Sequence, residues 1–115
     1  MKACPDGWYL PRDAEWIKLI NYVGSPTGTK LKAESGWTGS DYIEGTNDHG
    51  FSALPGGSHS SYNGFLNLGS GGLWWSATEL NDVNAYYLLM RHNNDSVHSD
   101  YTGKSYQLSV RCVKD

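Results

Sequence analysis

The side chains able to do chemistry in this 115-residue chain fall into three groups: four histidines, two cysteines and a polar, Tyr-rich stretch near the C-terminus. His49, His59, His92 and His98 show no HExxH or other close ligand spacing. His92 and His98 could meet across a hairpin, but a zinc site needs further ligands and a supporting shell that no neighbouring residue offers, so all four read as surface histidines. Glu79, Asn81 and Asp82 carry calcium-compatible oxygens, although Asn81-Asp82 is also the composition of a polar hairpin turn, the simpler reading. No metal and no cofactor is expected. There is no Ser in a nucleophile elbow, no P-loop and no dinucleotide fingerprint, so an enzyme is not expected either. Cys4 and Cys112 sit near the two ends. They are either a terminal staple, stabilising by about 4–5 kcal/mol in the chain-entropy model, or two separate buried thiols. A staple would imply an oxidising compartment.

The polar stretch runs from Asn84 to Tyr106 and mixes Asn, Tyr, His, Asp, Ser, Arg, Thr and Gly where a plain strand would alternate apolar and polar. Tyr gives large contact area at low entropy cost, and Ser and Asn adapt their hydrogen bonds, which is the chemistry of a recognition surface. A solvated hairpin would have a similar composition.

Those residues need elements to hold them. The length fits one domain, and 38% hydrophobic residues with five Trp and eight Tyr predict a compact aromatic core. Fourteen Gly and 18% charged residues predict many tight turns between short elements. A helix is predicted from Asp13, with Trp16, Ile17, Leu19, Ile20 and Val23 on one stripe and Gly24, Ser25 and Pro26 as its stop. A shorter helix is predicted over Thr29 to Ala33, with Leu31 as its anchor. From Gly36 to Gly72, single large residues (Trp37, Tyr42, Phe51, Leu54, Phe65, Leu68) punctuate Gly, Ser, Asn and Asp, as in a long loop pinned to a core. Strands are predicted over Leu73 to Thr78, Ala85 to His92 and Leu108 to Val113, with a weaker one at Ser96 to Tyr101 and antiparallel hairpins between neighbours. Trp16, Trp37, Phe51, Leu54, Trp75 and Val110 are the expected core. Trp74 and Trp75 should point to opposite faces, with Trp75 inward.

A net charge of −3 without a Lys/Arg cluster makes nucleic acid an unexpected partner. No apolar run approaches the roughly 20 residues that cross a bilayer, so no membrane insertion by this segment is expected. Met1 to Cys4 is too short for a signal peptide; an export signal or anchor would lie outside the segment.

Six stretches carry a resemblance: CPDGWYLPRDAEW (Cys4 to Trp16), GTKLKAESGW (Gly28 to Trp37), GFSALPGG (Gly50 to Gly57), GLWWSATE (Gly72 to Glu79), NAYY (Asn84 to Tyr87) and SVRCVKD (Ser109 to Asp115). In this order they resemble the Fibrobacter succinogenes major paralogous domain, a bacterial surface-protein family similar to the C-type lectin fold. The resemblance implies an α+β, C-type-lectin-like domain spanning 1–115: one or two helices on short antiparallel strands with a long Gly/Ser-rich loop region. Family domains tend to have strand material ahead of the CPDGW segment, so the resemblance implies the expectation that the segment lacks an N-terminal strand or belongs to a larger surface protein. It departs from the family pattern at Arg12, where Thr or Ser would complete a capping box with Glu15 unless Asp13 takes over the cap. It departs again at Gln107 and Leu108, where a Gly and an aromatic are usual.

The resemblance also implies a function. The C-type-lectin sugar motifs, Glu-Pro-Asn or Gln-Pro-Asp followed by Trp-Asn-Asp, are absent. Relatives of this fold include targets of diversity-generating retroelements, in which adenine changes turn Asn codons into Tyr, His, Asp, Ser, Thr, Gly and Arg codons. On that reading Tyr87, Arg91, His98, Asp100, Tyr101, Thr102, Gly103 and Tyr106 line one exposed ligand-binding face, Asn84, Asn93 and Asn94 are unaltered template positions, and Ser109 to Cys112 is the constant core strand. The expected function is a non-catalytic extracellular or cell-surface domain, bacterial or phage-displayed, that binds a protein or glycan on a cell surface. The alternatives are a structural subunit or spacer of a surface appendage, and a formylglycine-generating-like oxidase using the two thiols.

Overall fold

The computed structural model describes residues 3–114. The chain opens with a two-residue strand, β1 (Trp8–Tyr9), which pairs antiparallel with β7 (Val113–Lys114) at the other end. Beside this ribbon Cys4 and Cys112 form a disulfide, with Cα atoms 5.9 Å apart across 108 residues of sequence. The staple and the ribbon therefore tie the two termini together.

Helix α1 (Asp13–Val23) follows the predicted stripe, burying Trp16 and Val23 while Leu19 and Ile20 pack partly against the core. Ile17, counted on that stripe, is 49% exposed, because it lies on the shoulder of the helix rather than under it. Arg12 is the N-cap and supplies no side-chain acceptor, as guanidinium has none. Half of the capping box survives: the Arg12 backbone N–H donates to Glu15 Oε1 at 3.0 Å. The Glu15 N–H, for which the missing hydroxyl would be the acceptor, donates to Arg12 O at 2.9 Å, and the Asp13 N–H is met from outside by Thr78 Oγ1 at 2.9 Å. Asp13 does not replace the missing cap, since its carboxylate accepts from Ser99 Oγ at 2.8 Å instead.

Helix α2 (Thr27–Leu31) begins two residues before the predicted start and ends two before the predicted end, and Leu31 is its fully buried anchor. The long Gly/Ser-rich region is not all loop. It contains a hairpin of β2 (Ser58–Ser60) and β3 (Gly64–Leu66), with β2 bridged in turn by Gln107. The main sheet is antiparallel, in the order β4 (Gly71–Glu79), β5 (Asn84–Arg91), β6 (Val97–Gly103). The predicted weak strand at Ser96 to Tyr101 is thus a full seven-residue strand.

The predicted strand over Leu108 to Val113 is corrected. Ser109 alone bridges β4, exchanging bonds with Leu73 O and Trp75 N, before the chain leaves the edge to reach Cys4. Val110 is 40% exposed in consequence, so Ser109 to Cys112 is not a core strand. Leu54 is also outside the core, at 57% exposure, because its neighbour Ala53 takes the bridge to Lys32 and turns the next side chain outward. Phe51 is partly buried, meeting Trp16 edge-on at 6.3 Å.

The core is built on tryptophan rather than tyrosine: Trp16, Trp37, Trp74 and Trp75 are each no more than 5% exposed, whereas Tyr22, Tyr42, Tyr62 and Tyr101 are at least half exposed. Trp74 and Trp75 do alternate in direction, but both are buried, since β4 is covered on both sides. Trp74 joins Leu88, Met90, Leu31 and Trp37 on the helix side. Its ring crosses Gly72, where any Cβ would lie 2.3 Å from Trp74 Cη2. The register pairs Trp75 with Tyr87, on the opposite side of the sheet.

Candidate functional site

Strand alternation and the β5–β6 register decide which polar residues share a surface. Tyr87 faces Asp100, Leu89 faces His98 and Ala85 faces Thr102. Arg91 follows Leu89 by two and stays on that side. Five of the eight expected residues, Tyr87, Arg91, His98, Asp100 and Thr102, therefore lie on the outer face of the sheet, away from the helices. Arg91, His98 and Asp100 are exposed, and Tyr87 and Thr102 are half-buried.

The remaining three sit elsewhere. Tyr101 pairs with Tyr86 on the helix side, with rings 6.0 Å apart and nearly perpendicular. Gly103 lies on the same side, opposite Asn84. Tyr106 is beyond β6 in a turn closed by its N–H on Gly103 O at 3.1 Å, and its hydroxyl accepts from Asn63 Nδ2 at 3.4 Å. A single face holding all eight residues would need consecutive side chains of one strand to point the same way, which the pleat forbids.

On the outer face Tyr87 is the hinge of the local electrostatics. Burial pushes its hydroxyl pKa up, the Asp100 carboxylate adds to this, and the Arg91 guanidinium opposes it. The phenol thus lies within electrostatic reach of both a carboxylate and a guanidinium. Asp100 also accepts from the Tyr101 backbone N–H at 2.8 Å, which fixes the carboxylate beside the strand.

The turn between β5 and β6 is held from below by α2 and the residue after it. Lys32 is fully buried, and its ammonium donates to Arg91 O at 2.5 Å and Asn94 O at 2.9 Å, with Nζ 4.9 Å from the centre of the Trp37 ring. Burial lowers its pKa, and Asp95 partly offsets that. Gly28 N–H donates to Asp95 O at 2.8 Å, and a Cβ on Gly28 would lie 2.8 Å from the same oxygen. Thr29 Oγ1 bonds Asp95 Oδ1, and Asn94 Oδ1 accepts from Ser96 N–H at 3.0 Å. Asn94 thus has a structural task in the turn. Sequence reasoning missed Lys32: it follows a five-residue helix, flanked by Leu31 and Ala33, and nothing in that pattern distinguishes it from a solvated lysine.

The other candidate groups are structural. His92 is half-buried rather than on the surface, lying against Gly39 with Nδ1 3.2 Å from Ser70 O. His59 is half-buried against Phe65, ring centres 4.6 Å apart. Asn81 Oδ1 accepts from Val83 N–H at 2.9 Å and Asn84 N–H at 2.8 Å, the pattern of a polar turn. Among the described residues no group of three or more His, Cys, Asp or Glu side chains is placed to hold a metal ion. A cleft of about 620 Å³ lies between β1, the first turn of α1 and the end of β4, lined by Trp8, Glu15, Trp75, Ala85 and Lys104 among others and by none of the five face residues. Lys104 closes one rim through a 3.0 Å ion pair with Glu79.

The architecture is that of a small α+β domain with few helices, antiparallel sheets and disulfide-joined ends. Residues 1–114 match the family model of the Fibrobacter succinogenes major domain, and the chain belongs to that family. No curated protein and no solved structure matches the chain. No helix among the described residues is long and apolar enough to cross a membrane.

Proposed function

We propose that this chain is a non-catalytic, extracellular recognition domain of C-type-lectin-like fold that binds a protein or glycan on a cell surface through the outer face of β5 and β6. The observation that carries the reading is the convergence of Tyr87, Arg91, His98, Asp100 and Thr102 on one side of an anchored hairpin. A phenol, a guanidinium, an imidazole and a carboxylate side by side offer donors and acceptors of both signs, while the buried framework beneath them fixes their spacing. The disulfide supports the extracellular setting, since such bonds persist in oxidising compartments. It also favours binding over thiol oxidation, because both cysteines are joined and an oxidase would need them reduced.

The same face suits diversification by a retroelement. Its residue types are those that adenine changes give from Asn codons, and exposed positions tolerate exchange at small cost in stability. The expected genomic signature is a reverse-transcriptase gene beside a near-copy of the coding stretch for Asn84 to Cys112, differing at adenines. For binding itself, the domain is applied to glycan and cell-surface protein arrays, and each hit is repeated with the triple variant Tyr87→Ala/Arg91→Ala/Asp100→Ala. Loss of the hits is expected. Hits that survive the triple variant would move the binding function off this face.

A further inference from the structure

From His49 to Thr78 the chain contains no Asp, Glu, Lys or Arg, although the whole carries a net charge of −3. The exposed part of this span centres on β3 and the hairpin tip, where large apolar side chains stand among uncharged Ser61, Asn63 and Asn67. Tyr62 at the tip is 95% exposed, Phe65 72%, Leu68 70%, Leu54 57% and Leu66 41%. Large apolar side chains this exposed are the kind of surface that interaction sites use. β3 has β2 on one side and no strand on the other among the described residues. Edges of this kind are normally guarded by charge or proline, and none lies between Ser58 and Leu68.

We propose that the β2–β3 hairpin is a self-association surface, where β3 pairs antiparallel with β3 of a second copy about a two-fold axis. Two chains of net charge −3 repel each other least where neither bears charge, and this hairpin is that place. Charge-depleted, aromatic surface is also the composition of protein interface cores. A two-fold axis through the edge sets Phe65 near its own copy and leaves Tyr62 and Leu68 to flank the contact, so one patch serves as both partners. A lipid surface is the weaker fit, because interfacial segments carry Lys or Arg around the apolar face and this span has neither. The β5–β6 outer face is not used, so the inference stands apart from the recognition reading and leaves that face free in the dimer.

The test is sedimentation velocity from about 5 µM to about 1 mM, a range that brackets the affinity expected for a small interface. The mass should rise from the 12.7 kDa monomer towards twice that value. Phe65→Asp should raise the dimer dissociation constant on the order of 30-fold or more, as for a central contact residue, while Tyr87→Ala should leave it unchanged. Phe65 is largely exposed, so the variant should keep its near-ultraviolet circular dichroism; Leu68→Lys serves as a second variant if it does not. A wild-type chain that stays monomeric across the range overturns the proposal, as do variants that dimerise like wild type. A monomer that cosediments with phosphatidylcholine vesicles would also overturn it and assign the hairpin to lipid.

Discussion

β4 and β6 flank the same central strand, yet one is buried and the other largely exposed. β4 is buried over its first six residues, on both faces, and takes bonds on its far edge from Ser109 and Gly57. β6 is half-buried at its two ends and exposed in between, and its sequence, Val-His-Ser-Asp-Tyr-Thr-Gly, would barely hold a strand by itself. It is ordered by pairing with β5 along its whole length and by the Lys32 anchor at the turn. One sheet therefore carries the core on one edge and exposed side chains on the other.

Two substitutions or treatments strike the β4 side hardest. Reducing the disulfide removes the restraint on a 108-residue separation. It should cost about 4–5 kcal/mol and lower Tm on the order of 15 °C, read by differential scanning calorimetry with and without reductant. Trp75→Ala should cost about 3–5 kcal/mol in chemical denaturation, because a buried indole leaves a cavity beside the ribbon. If either change proved as mild as a surface mutation, β4 and its staple would not be the stabilising half.

Lys32 tests how the two halves are joined. Lys32→Ala leaves the carbonyls of Arg91 and Asn94 without their donor and opens a cavity, for an expected loss of about 3 kcal/mol. Lys32→Met should lose less, since it fills the space and removes the cost of burying a cation. In both, amide hydrogen exchange over β6 should accelerate more than over β4. Equal acceleration in the two strands would show that the turn does not anchor the hairpin selectively.

A smaller effect comes from pH. The Tyr9 hydroxyl at 2.6 Å and then the Arg12 backbone N–H hold Glu15 below its ordinary pKa of 4.5. Between the lowered native value and 4.5 the unfolded chain binds the proton and the native chain does not, so stability rises with pH there. The contribution is complete above the unfolded value and is lost as pH falls through the native one. Glu15→Gln should flatten the acid limb of a stability–pH curve measured from pH 3 to 7, and an unchanged limb would remove Glu15 from the cap.

Much of this division was legible in the sequence. The Trp16 to Val23 stripe and the cysteines at both ends rest on local pattern and stand where expected apart from Ile17. The alternation of Trp74 and Trp75 was legible too, but Trp74, expected to face away from the core, is the one that joins the helix-side core. What was not legible depends on partners distant in sequence. Val110 reads as a core residue until the chain is seen leaving the β4 edge after Ser109, and Lys32 reads as solvated until the turn 60 residues on is seen to fold over it. The candidate face lay between these cases: its residue types were visible, but Tyr101 and Gly103 could be separated from the rest only by the β5–β6 register.

The least costly changes should be those on the outer face itself. Arg91, His98 and Asp100 are exposed, and it is the Arg91 carbonyl, which any substitution keeps, that meets buried Lys32. Arg91→Ala and His98→Ala should each shift stability by no more than about 0.5 kcal/mol. Asp100→Asn should do the same, since the amide oxygen can still accept from Tyr101 N–H. Tyr87 is the exception to watch, because it is half-buried opposite Trp75, and Tyr87→Phe is the milder probe there. Its raised pKa means that the native phenol keeps its proton at pH values where the unfolded one has lost it, so stability should decline as pH climbs through 10. Tyr87→Phe should abolish that decline while leaving stability at pH 7 nearly unchanged. Random exchange at Arg91, His98, Asp100 and Thr102, followed by selection for protease resistance, should then return almost all of the residue types introduced. A library that collapsed back to the native residues would mean that β6 stabilises the fold after all, and that the two edges of the sheet are not divided in this way.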